Sequence, residues 1–495
     1  MSDKAGDTGR IRRSLSRTAL RALGAHAAAP SRAWEMGFIA EVDRAHLVML
    51  VESGLLDRTH AARLLATIGQ LAESGFAALD GLEAPRGLYL LYESHLIERL
   101  GEEIGGALHT ARSRNDLNAT VLRLQLREPA AELIRALLRL IAILLARARR
   151  FADVVMPIYT HGQAALPGSY GHYLAAIAQP LLRSADALLH CLDGDLDLCP
   201  LGAGAVGGTS LPIRTEVTAR LLGFGGVTSN SIDAVASRDV VVRLLGEATI
   251  LGTTLSRLAT DLQGWMSAEF GFLSLPDSLV GSSSMMPQKR NPYLLEHVQG
   301  RSARPLGALV AAVTAIHAKP FTNNIAAGTE SAAGVRDALA DVTSAVDLAC
   351  VMVKGAAPRR DVMLSRAEGT FLEATEICNR LVLAGMPFRA AHHLVGEAIT
   401  EALERDPRAR GDAVIAHVAA AMPHADLGGL DPRSIMRASR FGGGPGSIMA
   451  RGGFARERAA LRSHAAGLKR WVDQWRDAAR ALDREAAAIT VPASA

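Results

Sequence analysis

The sequence is poor in aromatic residues. Phe, Trp and Tyr make up 4% of its 495 residues, whereas hydrophobic residues as a whole make up 49%. The core must therefore consist mainly of Ala, Leu, Val and Ile, which favours packed helices over a β-sandwich. A chain of this length can form several domains or one large elongated architecture.

Cysteines, excess charge and long apolar runs are also scarce. The four cysteines form no CxxC pair and have no histidine-ligand pattern near them, which predicts reduced, buried thiols in a cytoplasmic protein and no metal site. The net charge of +4 arises from 54 cations and 50 anions, so no nucleic-acid-binding surface is predicted. Arg135 and Arg139 interrupt the most apolar stretch before it reaches about 18 residues, so no membrane span is predicted.

Helical periodicity, in contrast, is abundant. Long apolar-periodic segments lie at about 116–150, 168–192, 235–268, 292–318 and 332–355. Several approach a length of roughly 40 Å at about 1.5 Å per residue, which exceeds the usual helix. They predict an all-α bundle whose apolar faces are too extensive for one chain to cover, so we expect self-association. No segment alternates as a strand would.

Changes in this pattern divide the chain into three predicted domains. Residues 1–112 form an N-terminal helical domain, whose first 35 or so residues read as a mobile basic arm. Residues 113–360 form the long-helix bundle, and residues 361–495 form a C-terminal domain of shorter helices. A charged, Ala-rich helix is expected over 475–495.

Four polar stretches separate the helices: HTARSRND at 109–116, YTHGQAALP at 159–167, TSNSIDAVASRD at 228–239 and GSSSMMPQKRNP at 281–292. In the first, Ser113, Arg114 and Asn115 supply donors that can converge on a carboxylate. The same residues are typical of a helix N-cap, which stays an open alternative. The second stretch places Thr160, His161 and Gln163 before a helix, and the third is equally typical of a capped helix start.

The fourth stretch contains two prolines, Pro287 and Pro292, which predict a loop. It combines three serines with a Lys-Arg pair, so it carries hydroxyls and cations together. Taken alone it fits an ordinary polar surface loop as well as a functional one.

The fourth stretch resembles the signature loop of the fumarase/aspartase superfamily, whose common form is G-S-S-x-M-x-x-K-x-N. HTARSRND is similar to the H-T-G-R-S-R-N-D stretch of argininosuccinate lyases. Residues 200–213, 230–239 and 374–396 resemble stretches of the same subfamily, in the same order. The similarity covers roughly residues 36–465.

The resemblance implies an all-helical fold that assembles as a homotetramer around a 20-helix core, with each active site built from three subunits. It implies a β-elimination that releases fumarate, without a cofactor. Ser283 matches the catalytic serine, although three adjacent serines leave registers one residue to either side open. The other residues assigned to catalysis are His161, its carboxylate partner Glu296, and Lys289, and those assigned to substrate binding are Ser113, Arg114, Asn115, Thr160, Gln163, Ser284, Met286 and Asn291.

The chain departs from the subfamily where the arginine half of the substrate would bind. The family pattern A-Y-N-K-D-L-Q-E-D falls on TNNIAAGTE at 322–330, which places Asn323 at the tyrosine and Gly328 at the glutamine. LYLLYE at 88–93 lacks the aspartate and histidine of D-x-H-x-x-x-E, and Leu166 replaces the second glutamine of Q-x-A-Q-P. We therefore expect a carbon–nitrogen lyase that releases fumarate from an N-substituted aspartate whose amine is not necessarily arginine. Argininosuccinate lyase itself and a non-catalytic structural homologue are the alternatives.

Overall fold

The computed structural model describes residues 29–84, 87–450 and 454–491. The helices are α1 Ala29–Glu52, α2 Arg58–Glu73, α3 Leu88–Leu100, α4 Glu102–Gly105, α5 Arg114–Arg150, α6 Tyr170–Asp193, α7 Thr215–Leu221, α8 Ser231–Ala236, α9 Asp239–Trp265, α10 Tyr293–Ser302, α11 Arg304–Ile316, α12 Ile325–Gly328, α13 Val335–Gly355, α14 Arg360–Glu368, α15 Ala374–Leu383, α16 Phe388–Arg405, α17 Gly411–Ala421, α18 Pro432–Ala438, α19 Pro445–Ala450 and α20 Ala455–Thr490. The strands are β1 Val155–Thr160, β2 Gln163–Ser169, β3 Leu198–Cys199, β4 Gly226–Val227, β5 Leu273–Ser274, β6 Gly281–Ser282, β7 Arg290–Asn291 and β8 Ala357–Pro358.

The long helices confirm the prediction of an all-α bundle. Helices α5, α6, α9 and α13 coincide with four of the predicted segments to within a few residues, and one continuous core buries apolar side chains from all four. The fifth segment is split into α10 and α11 at Ala303, because Pro305 stands in the first turn of α11, where a proline is tolerated but cannot continue the preceding helix. Among the described helices, none is long and apolar enough to cross a membrane.

The prediction that no segment forms a strand is wrong, since the described residues contain four two-stranded sheets. The longest pair, β1 and β2, forms an antiparallel hairpin over 155–169. Thr160, His161 and Gln163 lie at its tip and precede helix α6, as expected. Pro157 pairs with Pro167, and the register shifts between Ile158 and Tyr159. Prolines and a bulge both obscure the two-residue alternation by which a strand is recognised in sequence.

The C-terminal third ends in a helix that is much longer than expected. Helix α20 has 36 residues and begins at Ala455. Its side chains Leu468 and Trp471 pack in the bundle core, whereas Leu482 and Ile489 pack in a second core with helices α1 to α3. A third core lies among the short helices α15 to α17. The three-domain division stays a prediction.

Two sequence-based expectations concern the cysteines and the N-terminus. All four cysteines are buried and unpaired, as predicted. Residues 1–28 of the predicted arm lie outside the described residues, and helix α1 already begins at Ala29. The arm therefore cannot extend over the whole of the first 35 residues.

Helix α5 gives the bundle two distant ends. It has 37 residues, or about 55 Å at 1.5 Å per residue. Its first residue follows Ser113, and the β1–β2 hairpin follows its last. The ring of Trp265, at the end of α9, lies 4.5 Å from that of Tyr173 on α6, so α9 ends at the hairpin end. The signature loop, which follows α9 in the chain, leaves from this same end.

Candidate active site

The N-terminal end of α5 is fixed by its own polar residues. Ser113 is the N-cap: its Oγ accepts the N–H of Asn115 at 3.3 Å, and its own N–H donates to the Asp116 carboxylate at 2.9 Å. This reciprocal pair is a capping box. The cap interpretation of the first stretch is therefore correct. A hydroxyl that accepts one bond still has its hydrogen to donate, so capping does not prevent Ser113 from binding a carboxylate.

Asp116 ties a glycine-rich loop to this helix end. Its buried carboxylate also accepts the N–H groups of Gly202 at 3.0 Å and Gly204 at 2.9 Å. Burial raises the pKa of Asp116 from its ordinary value, although these N–H groups oppose the shift. Gly204 has a φ of +61°, and a Cβ there would lie 2.9 Å from the carbonyl oxygen of Gly208. The glycines of 200–213 thus allow the backbone to bend tightly around one carboxylate.

Asn115 is held between two loops. Its Nδ2 donates to the carbonyl of Ala205 at 2.9 Å, and its Oδ1 accepts from Asn323 Nδ2 at 2.9 Å. Gly328 lies beside them, since a Cβ there would be 3.3 Å from Asn323 Oδ1 and 3.5 Å from Arg238 Nη2. Asn323 therefore contacts Asn115 within one chain, and Gly328 lies beside Asn323.

The third stretch reaches the same end of the bundle. Ser231 Oγ donates to the carbonyl of Val206 at 2.8 Å, and Arg238 is buried with its Nη1 on the carbonyl of Val235 at 3.1 Å. Asn230 caps α8, as the cap interpretation of this stretch predicted. The stretches 109–116 and 228–239 thus meet around the loops 200–213 and 322–330.

Behind this cluster lies a hydrogen-bonded network that sequence reasoning missed. Tyr89 Oη donates to Glu93 Oε1 at 3.0 Å and accepts from Arg112 Nη2 at 2.8 Å. His109 Nδ1 also contacts Glu93 Oε1, at 2.7 Å, and Arg112 forms a fully buried ion pair with Asp43. Burial raises the pKa of Tyr89, which stays a neutral donor. A tyrosine therefore completes a network at the place where the family has histidine, and its four-residue helical spacing to Glu93 was the available signal.

At the opposite end of α5, His161 stands at the tip of the β1–β2 hairpin. Thr160 pairs with Gln163, so the turn has only two residues, His161 and Gly162, with φ of +52° and +72°. Positive φ at both positions is the type I′ turn that suits a right-twisted hairpin. Glycine adopts this conformation freely, but for histidine it is strained. All four residues of the turn are exposed.

The signature loop is a second small hairpin. Gly281–Ser282 pair with Arg290–Asn291, and Ser283 Oγ accepts the N–H groups of Met285 at 3.3 Å and Met286 at 3.0 Å. Ser284, Met286 and Lys289 are exposed. The predicted loop is confirmed.

The base of this hairpin carries a tyrosine that sequence reasoning missed. A Cβ on Gly281 would lie 2.9 Å from the Tyr293 ring. This close approach explains why glycine stands at that position.

Glu296 lies on α10, one turn after this hairpin. Its Oε1 accepts from Gln263 Nε2 at 3.3 Å. Within the described part of one chain, no hydrogen bond or ion pair joins His161 to Glu296. The predicted histidine–carboxylate pair is therefore not made inside a single subunit.

One chain also cannot bring Asn115 to His161. Val154 N–H donates to the carbonyl of Phe151 at 3.1 Å, so the hairpin starts at the end of α5. The ten residues from Phe151 to His161 reach at most about 33 Å when fully extended. Against a helix of about 55 Å, the two residues stay at least about 20 Å apart. Helix length, and not the loops, prevents them from meeting.

Comparisons with known proteins identify the family of this chain. A family described as lyase matches residues 89–307, and one described as argininosuccinate lyase C-terminal matches residues 371–421. The argininosuccinate lyase of Anoxybacillus flavithermus is 35% identical over 362 residues, which cover 73% of this chain and 78% of the relative. That of Halorhodospira halophila is 38% identical over 367 residues, with 73% and 77% covered. This chain belongs to the argininosuccinate lyase subfamily of the fumarase/aspartase superfamily.

Solved structures agree with the family assignment. A variant of EDDS lyase with bound fumarate is 27% identical, with a TM-score of 0.83, and the match covers 95% of this chain and 97% of that one. A class II fumarase from Schistosoma mansoni shares the fold at 18% identity, with a TM-score of 0.67 over 83% of this chain and 96% of that one. As a member of this subfamily, the chain is a carbon–nitrogen lyase that yields fumarate.

The first prediction concerns backbone strain at Ala111, which stands at the glycine of the subfamily's H-T-G-R-S-R-N-D and has a φ of +58°. Replacing Ala111 with Gly should raise the free energy of unfolding of the lyase by about 1 kcal/mol, because glycine adopts this conformation without steric cost. Urea denaturation would measure the change. Ala479→Gly is the matched control on the exposed side of α20, where the same substitution should lower stability by about 1 kcal/mol. Equal losses at both positions would contradict the strain at Ala111.

The second prediction separates the role of His161 in the turn from its role in the reaction. Asn tolerates positive φ, so His161→Asn should keep the hairpin and the thermal midpoint of the lyase. The rate of fumarate release should fall by at least about 100-fold, the usual scale for removing an acid–base group. The variant Thr160→Asn would not separate the two roles, because Thr160 belongs to the paired strand and not to the turn. If the variant keeps full activity, His161 has only a structural role.

Proposed function

We propose that this lyase releases fumarate from an N-substituted aspartate by β-elimination of the amine. The observation that carries the proposal is the cluster at the N-terminus of α5, where Ser113 and Asn115 are held by fixed partners at the positive end of the helix dipole. Such an arrangement suits one carboxylate of the substrate. The likeness to EDDS lyase with bound fumarate, at 27% identity over nearly the whole chain, supports the same product.

The elimination requires a base for a weakly acidic proton on the carbon next to a carboxylate. Ser283 fits this role, because two backbone N–H groups already donate to its Oγ. Hydrogen bonds to a charged form favour that form, so the turn stabilises the alkoxide character that a serine base needs. Neighbouring registers are less suited: of the three serines, it is the Ser283 Oγ that receives these two bonds.

The charge that develops on the carboxylate must meet prearranged donors. Lys289 follows Ser283 in the same hairpin, where its N–H bonds the carbonyl of Met286 at 3.1 Å, and it supplies a positive charge. Asn291 and Thr160 supply neutral donors. The further ligand contacts in this proposal are Arg114, Gln163, Ser284 and Met286.

His161 and Glu296 act as a pair contributed by different subunits. An adjacent carboxylate raises the basicity of an imidazole and fixes its tautomer. Both residues are exposed in one chain, so another chain can reach them. The proposal does not assign the proton that the leaving amine receives.

Each site is assembled from several subunits of a homotetramer with a 20-helix core. The separation of at least about 20 Å between Asn115 and His161 along α5 supports this assembly. Leu306, Val310 and Val313 of α11 and Ile250 of α9 are large apolar side chains left exposed in one chain, and a bundle of helices from several chains would cover them. The proposal places the enzyme in the cytoplasm, consistent with four unpaired thiols.

The amine is the point at which this proposal departs from argininosuccinate lyase itself. Asn323 is shorter than tyrosine and Gly328 has no side chain. Asn323 contacts Asn115, and Gly328 lies beside Asn323. A site that hydrogen-bonds polar substrate groups rejects analogues that leave those groups unpaired. Argininosuccinate is therefore the second candidate substrate, supported by identities of 35% to 38% with curated argininosuccinate lyases.

The third prediction tests the reaction. Purified protein should release fumarate, seen as rising ultraviolet absorbance, from at least one member of a panel of N-substituted aspartates. Ser283→Ala should lower that rate by at least about 100-fold without changing the thermal midpoint. Ser282→Ala and Ser284→Ala are the matched controls, and a dead variant at either would move the base by one residue. No turnover in either direction across the panel would favour a non-catalytic homologue.

The fourth prediction tests the shared site. Asn115→Ala and His161→Asn proteins, each nearly inactive, should regain activity when mixed under conditions of subunit exchange, since some sites then receive both intact residues. Ser113→Ala mixed with Asn115→Ala is the control, because both residues come from the same helix end and cannot complement each other. Failure of the first mixture alongside proven exchange, or a fully active monomer in sedimentation, would overturn the shared site.

A further inference from the structure

The loops around Asn115 differ chemically from a site for a charged amine. Residues 200–213 and 320–329, which include the residues that bond Asn115, contain no Asp, Glu, Lys or Arg, whereas Glu330 comes directly after them. Where the family pattern has Lys and Asp, this chain has Ile325 and Ala326. A guanidinium or ammonium group taken out of water needs a carboxylate partner. Of the residues in and beside these two segments, Glu330 is the one that could supply it.

Carboxylates near this end of the bundle belong to other elements. Asp116 is buried and its oxygens already accept backbone N–H groups from two segments. Asp233 lies on α8, and Glu330 follows the second loop. The charge available to a cationic substrate therefore lies outside the walls that contact Asn115.

Apolar side chains occupy these walls instead. Phe321 and Ile325, each two residues from Asn323, are 67% and 69% exposed. Asn323 is bonded at 2.9 Å to Asn115, the residue proposed to hold the aspartate portion. Phe321 and Ile325 therefore each lie two positions along the chain from a residue that contacts Asn115. Large apolar side chains left this exposed mark a surface that binds something. Leu211 and Ile232, from the neighbouring loop and helix α8, are also exposed, at 40% and 44%.

We infer that the amine half of the site takes an apolar amine, with Phe321 and Ile325 as the residues that contact it. This inference rests on the proposed function, because it places the amine next to an aspartate portion held by Asn115. The substrate class is then an N-alkyl or N-aryl aspartate without a second charged group on the amine. Burial of its apolar substituent against Phe321 and Ile325 would replace the polar contacts that Asn323 and Gly328 no longer make.

The fifth prediction tests the substituent by steady-state kinetics with four substrates. N-benzylaspartate carries an apolar amine, argininosuccinate a guanidinium, N-(4-aminobutyl)aspartate an ammonium and N-methylaspartate almost no substituent. The expected kcat/KM for N-benzylaspartate is at least tenfold above those for both charged compounds. A kcat/KM for either charged compound tenfold above that of N-benzylaspartate would overturn the apolar subsite and leave the proposed function intact. Release of fumarate from none of the four, with none from a wider panel, would overturn the proposed function itself.

The residues are tested with the double variant Phe321→Ser, Ile325→Ser. Its kcat/KM should fall at least tenfold for N-benzylaspartate and less than twofold for N-methylaspartate, which does not reach the apolar wall. Phe388→Ser, at an exposed phenylalanine on α16, is the matched control and should change neither value. Equal losses for both substrates, together with dissociation of the oligomer in sedimentation, would assign Phe321 and Ile325 to a subunit interface and overturn the inference.

Discussion

The length of helix α5 governs the organisation of this molecule. Thirty-seven continuous helical residues hold its capped N-terminus about 55 Å from the hairpin at its other end. Because a packed helix cannot shorten, Asn115 and His161 cannot meet within one chain. The proposed site therefore requires association between chains, and the apolar side chains exposed on α9 and α11 are candidates for the surface involved.

The sequence predicted those elements whose pattern is repeated many times. About six or more helical turns make an apolar stripe unmistakable, so the ends of α5, α6, α9 and α13 were predicted to within a few residues. The hairpin over 155–169 was missed because each strand has few residues, the strands carry opposed prolines, and a bulge shifts their register. In the sequence, only the dipeptide His161-Gly162 marks its turn, and this dipeptide predicts a hairpin turn less strongly than Asn-Gly does.

The candidate site was predictable by residue type but not by partner. The signature loop and the capped start of α5 were recognised from local sequence, and the structure gives both the expected local form. The bonds between Asn115 and Asn323, and between Tyr89 and Arg112, join residues up to 208 positions apart. Spacing along one chain does not reveal such contacts, and it reveals still less about the proposed pairing of His161 with Glu296 between chains.

The two halves of the proposed site differ in how freely their residues can be substituted. Ser113 caps a helix, Asp116 ties down a loop, and Ser283 closes a turn, so a substitution at any of them would disturb local folding as well as binding. Asn323 precedes the one-turn helix α12, which contains Ile325 and Gly328. Two side-chain hydrogen bonds tie this segment to the rest of the site, from the Asn323 amide to Asn115 and from Arg238 Nε to the Gly328 carbonyl at 3.5 Å. Substitution of the exposed Ile325 would alter the proposed amine wall without removing either bond. The proposed fumarate half is therefore constrained by folding and by binding, whereas Ile325 is constrained by binding alone, which would let a member of this subfamily keep the reaction with a different amine.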